Sequence, residues 1–325
     1  FGEDQILDKE RTNCNCETCN AYNMLKMTKL LFMITGDVRY ADWYENTFIN
    51  SIISSQNPET GMTTYFQPMA SGYYKVYGER FNKFWCCVGT GMENFTKLQE
   101  SFYFEKDDCL IINQYFSSSV LWRNSELIQS ANIPQSEQVS IVIKQPLEGK
   151  LLFRLPDWLA GTAKITVNGK AYPYRIVGDD GNKGYALVEG PFEANTGIEF
   201  ILPMKIVAYN LPDSENTYAF KYGPVVLCAL LGTKDMIDTT TGVNVTIPSN
   251  QLFEKKYLPE QNEQIIVSEG SVEDFIHNID RYFIRKDPKA LEWSLTGINA
   301  NLTYVPLYSQ HKERYGIYFN FMDGH

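Results

Sequence analysis

Three thiols and a carboxylate, held in two short clusters, are the residues of this sequence best equipped for chemistry: Glu17 with Cys19, and Cys86 with Cys87. Zinc accepts cysteine sulfur and glutamate oxygen together, and four ligands is its usual number in proteins. A thiol bound to such a cation is deprotonated outright, so the set would supply a thiolate at neutral pH. Spacing leaves two readings open. A four-thiolate site, with Cys14 or Cys16 in place of Glu17, is coordinatively closed and structural, whereas a set that keeps one reachable sulfur offers a nucleophile. A redox pair at Cys86 and Cys87 is the weaker reading. A disulfide between adjacent residues is strained, and no Cys-x-x-Cys motif frames this pair.

The elements that must hold these residues follow from periodicity. Glu17 and Cys19 lie two apart, a spacing that shares a face on an extended segment and not on a helix. They are therefore expected on an extended approach to a helix over 22–35, where Leu25, Met27, Leu30, Leu31 and Ile34 recur at helical spacing. Gly36-Asp37 ends that helix, and Asp37 can cap a second one that runs to the break at Asn57-Pro58. Thr63 to Gln67 and Tyr73 to Tyr77 read as a short hairpin. Cys86 and Cys87 precede Val88-Gly89-Thr90-Gly91 and a third helix over 91–104, near whose N-terminus the macrodipole favours anions. After Asp107-Asp108 the pattern changes to period two, with strands expected at 110–116, 139–143, 151–155, 165–167, 185–188, 198–202, 218–221 and 225–231. Asn168-Gly169 is a hairpin signal. Further strands fit 252–257, 264–267, 302–308 and 315–321. Short strands with frequent turns suggest β-sandwiches. The domains expected are 1–105, helical, then 106–207 and 208–325, each a β-sandwich. The helices are too apolar to stand alone, so the helical domain is expected to be truncated at its N-terminus.

Composition narrows the partners. A net charge of -10 and a pI near 5.0 leave nothing to neutralise phosphates, which excludes nucleic acid. No apolar run approaches the ~18 residues of a membrane span. Seven cysteines is an odd number, so a fully paired disulfide framework is excluded. Free thiols favour a reducing compartment such as the cytoplasm, with the periplasm still open. Cys109 and Cys228 are isolated and read as buried apolar residues. His277, His311 and His325 fall in or after the strand region and read as surface or packing residues. Gly89-Thr90-Gly91 lacks the lysine of a phosphate loop and reads as a helix-entry turn. The 21 tyrosines suit both packing and stacking on sugar rings.

Two long motifs carry a resemblance. Glu17-Thr18-Cys19-Asn20-Ala21-Tyr22-Asn23-Met24-Leu25-Lys26 and Phe84-Trp85-Cys86-Cys87-Val88-Gly89-Thr90-Gly91-Met92-Glu93-Asn94 resemble signatures of the bacterial β-L-arabinofuranosidases of glycoside hydrolase families 127 and 146, the latter motif being closer to 146. Asn57 to Met62, Arg154-Leu155-Pro156-Asp157-Trp158 and Tyr222-Gly223-Pro224 extend the match. The resemblance implies the C-terminal part of an (α/α)6 barrel followed by two β-sandwich domains, with the missing N-terminal barrel segment as a partner. It implies zinc on Glu17, Cys19, Cys86 and Cys87, with Cys86 as nucleophile and Glu3 as acid/base. Glu45 and Tyr65 would be a pocket carboxylate and a sugar-contacting tyrosine. The implied reaction is retaining hydrolysis that releases L-arabinofuranose or a similar sugar from an arabinose-containing oligosaccharide or glycan. The alternatives are a structural-zinc protein whose β-sandwiches bind carbohydrate or other domains, and one half of a split hydrolase.

Overall fold

The computed structural model describes residues 5–81, 84–178, 184–234, 236, 264–268, 270–287 and 289–324. The chain divides into two compact units, one built from residues 1–23, 47–94 and 206–325, the other from 24–46 and 95–205.

In the second unit, most of helix α1 (Thr18–Thr35) leads through Gly36 to helix α2 (Val38–Thr47). Asp37 caps α2, its Oδ1 accepting from the Arg39 amide at 2.9 Å. A five-stranded sheet runs in the order β1 (Tyr103–Lys106), β2 (Cys109–Ile112), β6 (Lys150–Leu155), β10 (Gly184–Glu189), β9 (Arg175–Val177). Its β2–β6 pair is parallel and the others are antiparallel. A six-stranded antiparallel sheet runs β3 (Phe116–Trp122), β4 (Ser125–Asn132), β5 (Gln138–Ile143), β11 (Thr196–Ile201), β7 (Lys164–Val167), β8 (Lys170–Ala171). Burial alternates along β4, which is what a strand with one covered face requires. Leu110, Ile112, Leu151, Phe153, Ala186 and Val188 of the first sheet join Leu127, Val139, Ile141, Ile143, Ile198 and Phe200 of the second in one core. Asn168 and Gly169 both take positive φ, 50° and 74°, so the β7–β8 connection is the tight turn that Asn-Gly favours. Phe32, Val38 and Ala41 of the helices bury against Ile111 and Tyr185 of the five-stranded sheet.

The first unit is organised by a nine-stranded sheet. Its path is β15 (Gln264–Ile266), β20 (Phe319–Met322), β13 (Thr217–Tyr222), β14 (Val225–Leu230), β18 (Leu302–Pro306), β17 (Trp293–Leu295), β16 (Phe283–Arg285). Strand β12 (Ile206–Asn210) pairs with β13, and β19 (Tyr315–Gly316) with β14. Phe220 packs edge-on against Phe283, Tyr304 and Phe321, with ring centroids 5.0, 5.7 and 5.8 Å away. Two short helices follow β15, α4 (Val272–His277), capped by the Ser271 hydroxyl, and α5 (Ile279–Tyr282). The remaining segments of this unit are a π-helical turn at Phe48–Ile52, an irregular stretch bridged at Thr64–Tyr77 and Tyr73–Tyr315, and helix α3 (Cys86–Lys97), most of which lies in it.

The expected fold class is corrected on two points. Among the described residues only α1, α2 and α3 reach ten residues, and they do not assemble the part of an (α/α)6 barrel that the resemblance implied. The sheets are open, with free edges, and the last third is one nine-stranded sheet with flanking helices instead of a second β-sandwich. Period-two alternation marks a strand with one buried face, but it carries no information about which sheet covers that face. Local boundaries shift as well. α1 begins at Thr18 and α3 at Cys86, so Cys19, Cys86 and Cys87 are helical from the outset. The strand expected at 252–257 lies outside the described residues. No described helix is long and apolar enough to cross a membrane.

Candidate metal centre

Glu17, Cys19, Cys86 and Cys87 present one donor atom each, all within 4.8 Å of one another. Cys19 Sγ lies 3.3 Å from Cys87 Sγ, 68 positions away in the chain. Cys87 Sγ lies 4.0 Å from Cys86 Sγ and 4.0 Å from Glu17 Oε1. Zinc–sulfur bonds of ~2.3 Å at tetrahedral angles separate two sulfurs by about 3.8 Å, so this donor set has the right size for that cation.

Backbone and hydroxyl bonds hold the two clusters together. Thr18 opens α1 with its amide donating to the Tyr65 carbonyl at 3.0 Å and its hydroxyl to the Thr64 carbonyl at 2.8 Å. One of the amides that a helix N-terminus leaves unpaired is thereby satisfied by the segment that carries Tyr65. Cys86 and Cys87 occupy the first turn of α3, where the Thr63 hydroxyl donates to the Cys87 carbonyl at 3.2 Å. Gly91 permits this approach: a Cβ there would stand 2.6 Å from Thr63 Cγ2. Tyr22 on α1 donates its hydroxyl to Glu93 Oε1 on α3 at 2.9 Å, fixing the two ligand-bearing helices against each other.

The sulfurs differ in surroundings. Cys87 is fully buried, Cys19 half-buried and Cys86 exposed. Burial pushes the Cys87 thiol well above its ordinary value. Burial raises Cys19 too, opposed by hydrogen bonds that include one from Thr90, whose Oγ1 lies 3.0 Å from Cys19 Sγ. Burial therefore favours the protonated form of both thiols, and a cation bound to them would displace those protons.

Tyr65 belongs to this cluster. Its carbonyl lies 3.9 Å from Cys87 Sγ, and its ring meets the buried Trp85 edge-on at 5.8 Å. Burial first, then Cys86, pushes the Tyr65 hydroxyl up to about 12. Glu45 is placed in the other unit, buried at 3 % exposure, with Arg154 Nη2 2.5 Å from Oε1 and Trp158 Nε1 donating to Oε2 at 2.7 Å. Arg154, wholly buried, also pairs with Asp42. Glu3 lies outside the described residues. Cys14 and Cys16 are not among the four clustered donors; Cys14 Sγ faces Asn13 Oδ1 at 3.4 Å, and Cys16 Sγ faces Met69 Sδ at 3.5 Å. The reading in which either replaces Glu17 is not the arrangement the fold makes. His311 packs as expected, with Tyr77 Oη 2.5 Å from its Nδ1, and Cys228 is fully buried.

Sequence reasoning passed over Thr90 and Thr63. The signal for Thr90 was available: it follows Cys86 by four and Cys87 by three, so a helix starting at Cys86 sets all three on one face. With the helix start placed at Gly91, that face disappears.

Comparison with known proteins adds the family. Residues 1–100 match the model described as β-L-arabinofuranosidase, GH127 catalytic domain; residues 109–204 match the GH127 middle domain; and residues 207–321 match a domain of unknown function. No curated protein matches. Among solved structures, a GH127 β-L-arabinofuranosidase from Geobacillus stearothermophilus is 14% identical with a TM-score of 0.69, over 96% of this chain and 51% of its own. A structure described as a glycoside hydrolase is 17% identical at 0.68, over 96% and 54%. A further GH127 β-arabinofuranosidase is 18% identical at 0.67, over 99% and 51%. They share the fold, and this chain spans about half the length of each. Two expectations are overturned. The matching models are those of family 127, so the preference for 146 falls, although the Phe84–Asn94 motif that suggested it lies inside the match. Catalytic-domain sequence is present in this chain, matched over residues 1–100, which corrects the expectation of a C-terminal portion with a missing N-terminal barrel segment as its partner. Through two consecutive models that together span more than half of it, the chain belongs to the glycoside hydrolase 127 family of β-L-arabinofuranosidases.

Proposed function

We propose that this protein hydrolyses β-L-arabinofuranosides in plant-type glycans or glycopeptides with retention of configuration, using Cys86 as nucleophile. The observation that carries this reading is the inequality of the three sulfurs: Cys86 alone is exposed, while Cys19 and Cys87 are set back into the protein. Glu17, Cys19, Cys86 and Cys87 would hold zinc, which when bound supplies the positive charge that keeps these thiols ionised at neutral pH.

The residues then divide the work. Cys86 Sγ attacks the anomeric carbon as the glycosidic C–O bond breaks, and the departing oxygen takes its proton from Glu3. In the second half, Glu3 removes a proton from water, the water oxygen bonds to the anomeric carbon, and the C–S bond breaks to restore the Cys86 thiolate. Tyr65, whose carbonyl lies 3.9 Å from Cys87 Sγ, borders the sugar. Trp85, buried and edge-on to Tyr65, forms the apolar wall beside them.

The test is hydrolysis of an aryl β-L-arabinofuranoside by the wild type and by Cys86→Ala, with zinc content measured on both. Loss of turnover in a folded variant supports the assignment. Equal turnover in the two proteins would end it.

A further inference from the structure

The thiols of the cluster also differ in what their sulfurs bond to. Cys19 Sγ and Thr90 Oγ1 are 3.0 Å apart, a short contact for a sulfur with a hydroxyl. Thr90 sits one helical turn beyond Cys86 and Cys87 on α3, whereas Cys19 is on α1, so the contact joins the two helices at the ligands themselves. A threonine within a helix commonly turns its hydroxyl back to its own helix carbonyls. Here the hydroxyl instead meets a ligand of the other helix. When Cys19 is a thiolate it can only accept, so the hydroxyl must donate.

Such a bond removes electron density from one particular sulfur and fixes its direction. Cys87 is immobilised by burial, with its sulfur 3.9 Å from the Tyr65 carbonyl. Cys86, whose sulfur lies 4.0 Å from Cys87 Sγ, is the exposed member of the set. Resting on the proposed function, we infer that Thr90 is a positioning residue: its hydroxyl donates to the Cys19 thiolate, holds Cys19 as a permanent zinc ligand, and so leaves Cys86 as the sulfur free to react. This assigns a role in the division of labour among the thiolates to a residue that touches neither the metal nor the sugar.

The experiment compares the full chain as wild type, Thr90→Val and Thr90→Ser, titrating zinc against a chromophoric chelator without substrate. Loss of an outer-shell hydrogen bond is expected to weaken zinc by about 10-fold or more in Thr90→Val, with Thr90→Ser restored to near the wild-type value. In the cobalt-substituted proteins, the sulfur-to-metal charge-transfer band is expected to move to longer wavelength in Thr90→Val and return in Thr90→Ser, because an unbonded thiolate is the better electron donor. Iodoacetamide is expected to modify the exposed Cys86 first in the zinc-loaded wild type and to reach Cys19 as well in Thr90→Val. Thr90→Ala is read in the same way if the valine variant does not fold. A wild type that binds zinc, beside a Thr90→Val that binds it less than about threefold more weakly, well short of the outer-shell effect, overturns the inference alone. So does an altered affinity with an unmoved band, or a loss the serine fails to restore. A wild type that binds no zinc overturns the metal reading and this inference with it.

Discussion

Two clusters of ionisable side chains, one in each unit, solve opposite problems. Around Arg154 the charges are complete: a wholly buried guanidinium is paired with Asp42 and Glu45, its Nε donates to the Asn113 carbonyl at 2.6 Å, and Trp158 donates to Glu45. Buried charges survive only when paired and hydrogen-bonded, and this set meets both conditions from within the chain. Around Cys87 the chain gathers three thiols and a carboxylate, all acids and all within 4.8 Å. Their donor atoms are close enough to share one cation. The difference separates carboxylates neutralised by a cation of the chain itself from a donor set of the kind that binds a metal cation. It also explains why an identical residue type, glutamate, has a structural environment at position 45 and a metal-facing one at position 17.

The comparison can be broken at either end. Cys86→Ala is expected to lower turnover by more than about 10³-fold, since removal of a nucleophile usually costs more than that, while zinc remains on the other three ligands. A variant that loses zinc entirely would show that Cys86 is needed to hold the metal as well. Arg154→Met should destabilise the protein by about 3–5 kcal/mol, because two buried carboxylates lose their cation. Urea denaturation measures this, and a change below 1 kcal/mol would mean that the cluster is not closed (order of magnitude as for an ordinary surface substitution, about 0.5 kcal/mol). Glu45→Gln keeps an acceptor for Trp158 and loses only the ion pair, so a smaller cost of about 1–3 kcal/mol is expected, with zinc stoichiometry unchanged. If that variant keeps its stability and loses affinity for substrate, Glu45 is a sugar contact first.

A third buried charge gives an effect of definite sign. Lys75 is 5 % exposed and donates to the Ser54 hydroxyl and the Leu307 carbonyl, both at 2.8 Å, with neutral acceptors where Arg154 has carboxylates. Burial pulls its amine down to about 7, against 10.5 for the ordinary group. The folded pKa lies below the unfolded one, so between these values the unfolded chain binds more protons and stability rises with pH. Below about 7 the cost of the buried charge is felt in full. Lys75→Met should abolish that rise, so that the difference in Tm between variant and wild type shrinks by a few degrees, roughly, from pH 7 to pH 10. A parallel pair of Tm curves would show that Lys75 is not desolvated.

Much of the candidate site was legible in the sequence because it is local. Glu17, Cys19, Cys86 and Cys87 announce themselves by residue type, and the fold brings all four together. Their backbone setting was less legible. The helix start at Thr18 depends on the Tyr65 and Thr64 carbonyls, partners more than forty residues away that no capping pattern encodes. Displacing α3 by five residues hid Thr90. In the strand region, alternation revealed β5, β6 and β11, yet nothing in β13 or β14 tells that they sit in the middle of a nine-stranded sheet. Sheet membership is decided by contacts distant in sequence. The Arg154 cluster was missed for the same reason: Asp42 and Glu45 look like solvated helix carboxylates until β6 places a guanidinium against them.

The 68-position separation between Cys19 and Cys87 has a consequence in time as well as in space. A ribosome adding roughly 5–20 residues per second needs about 3–14 s to pass from one to the other. During that interval the emerging chain displays Cys14, Cys16 and Cys19 together, three soft donors within six residues, while both members of the later pair are still unmade. In the finished fold Cys14 and Cys16 have turned to Asn13 and Met69. The four donors of the centre can therefore come together only after Cys87 has been made.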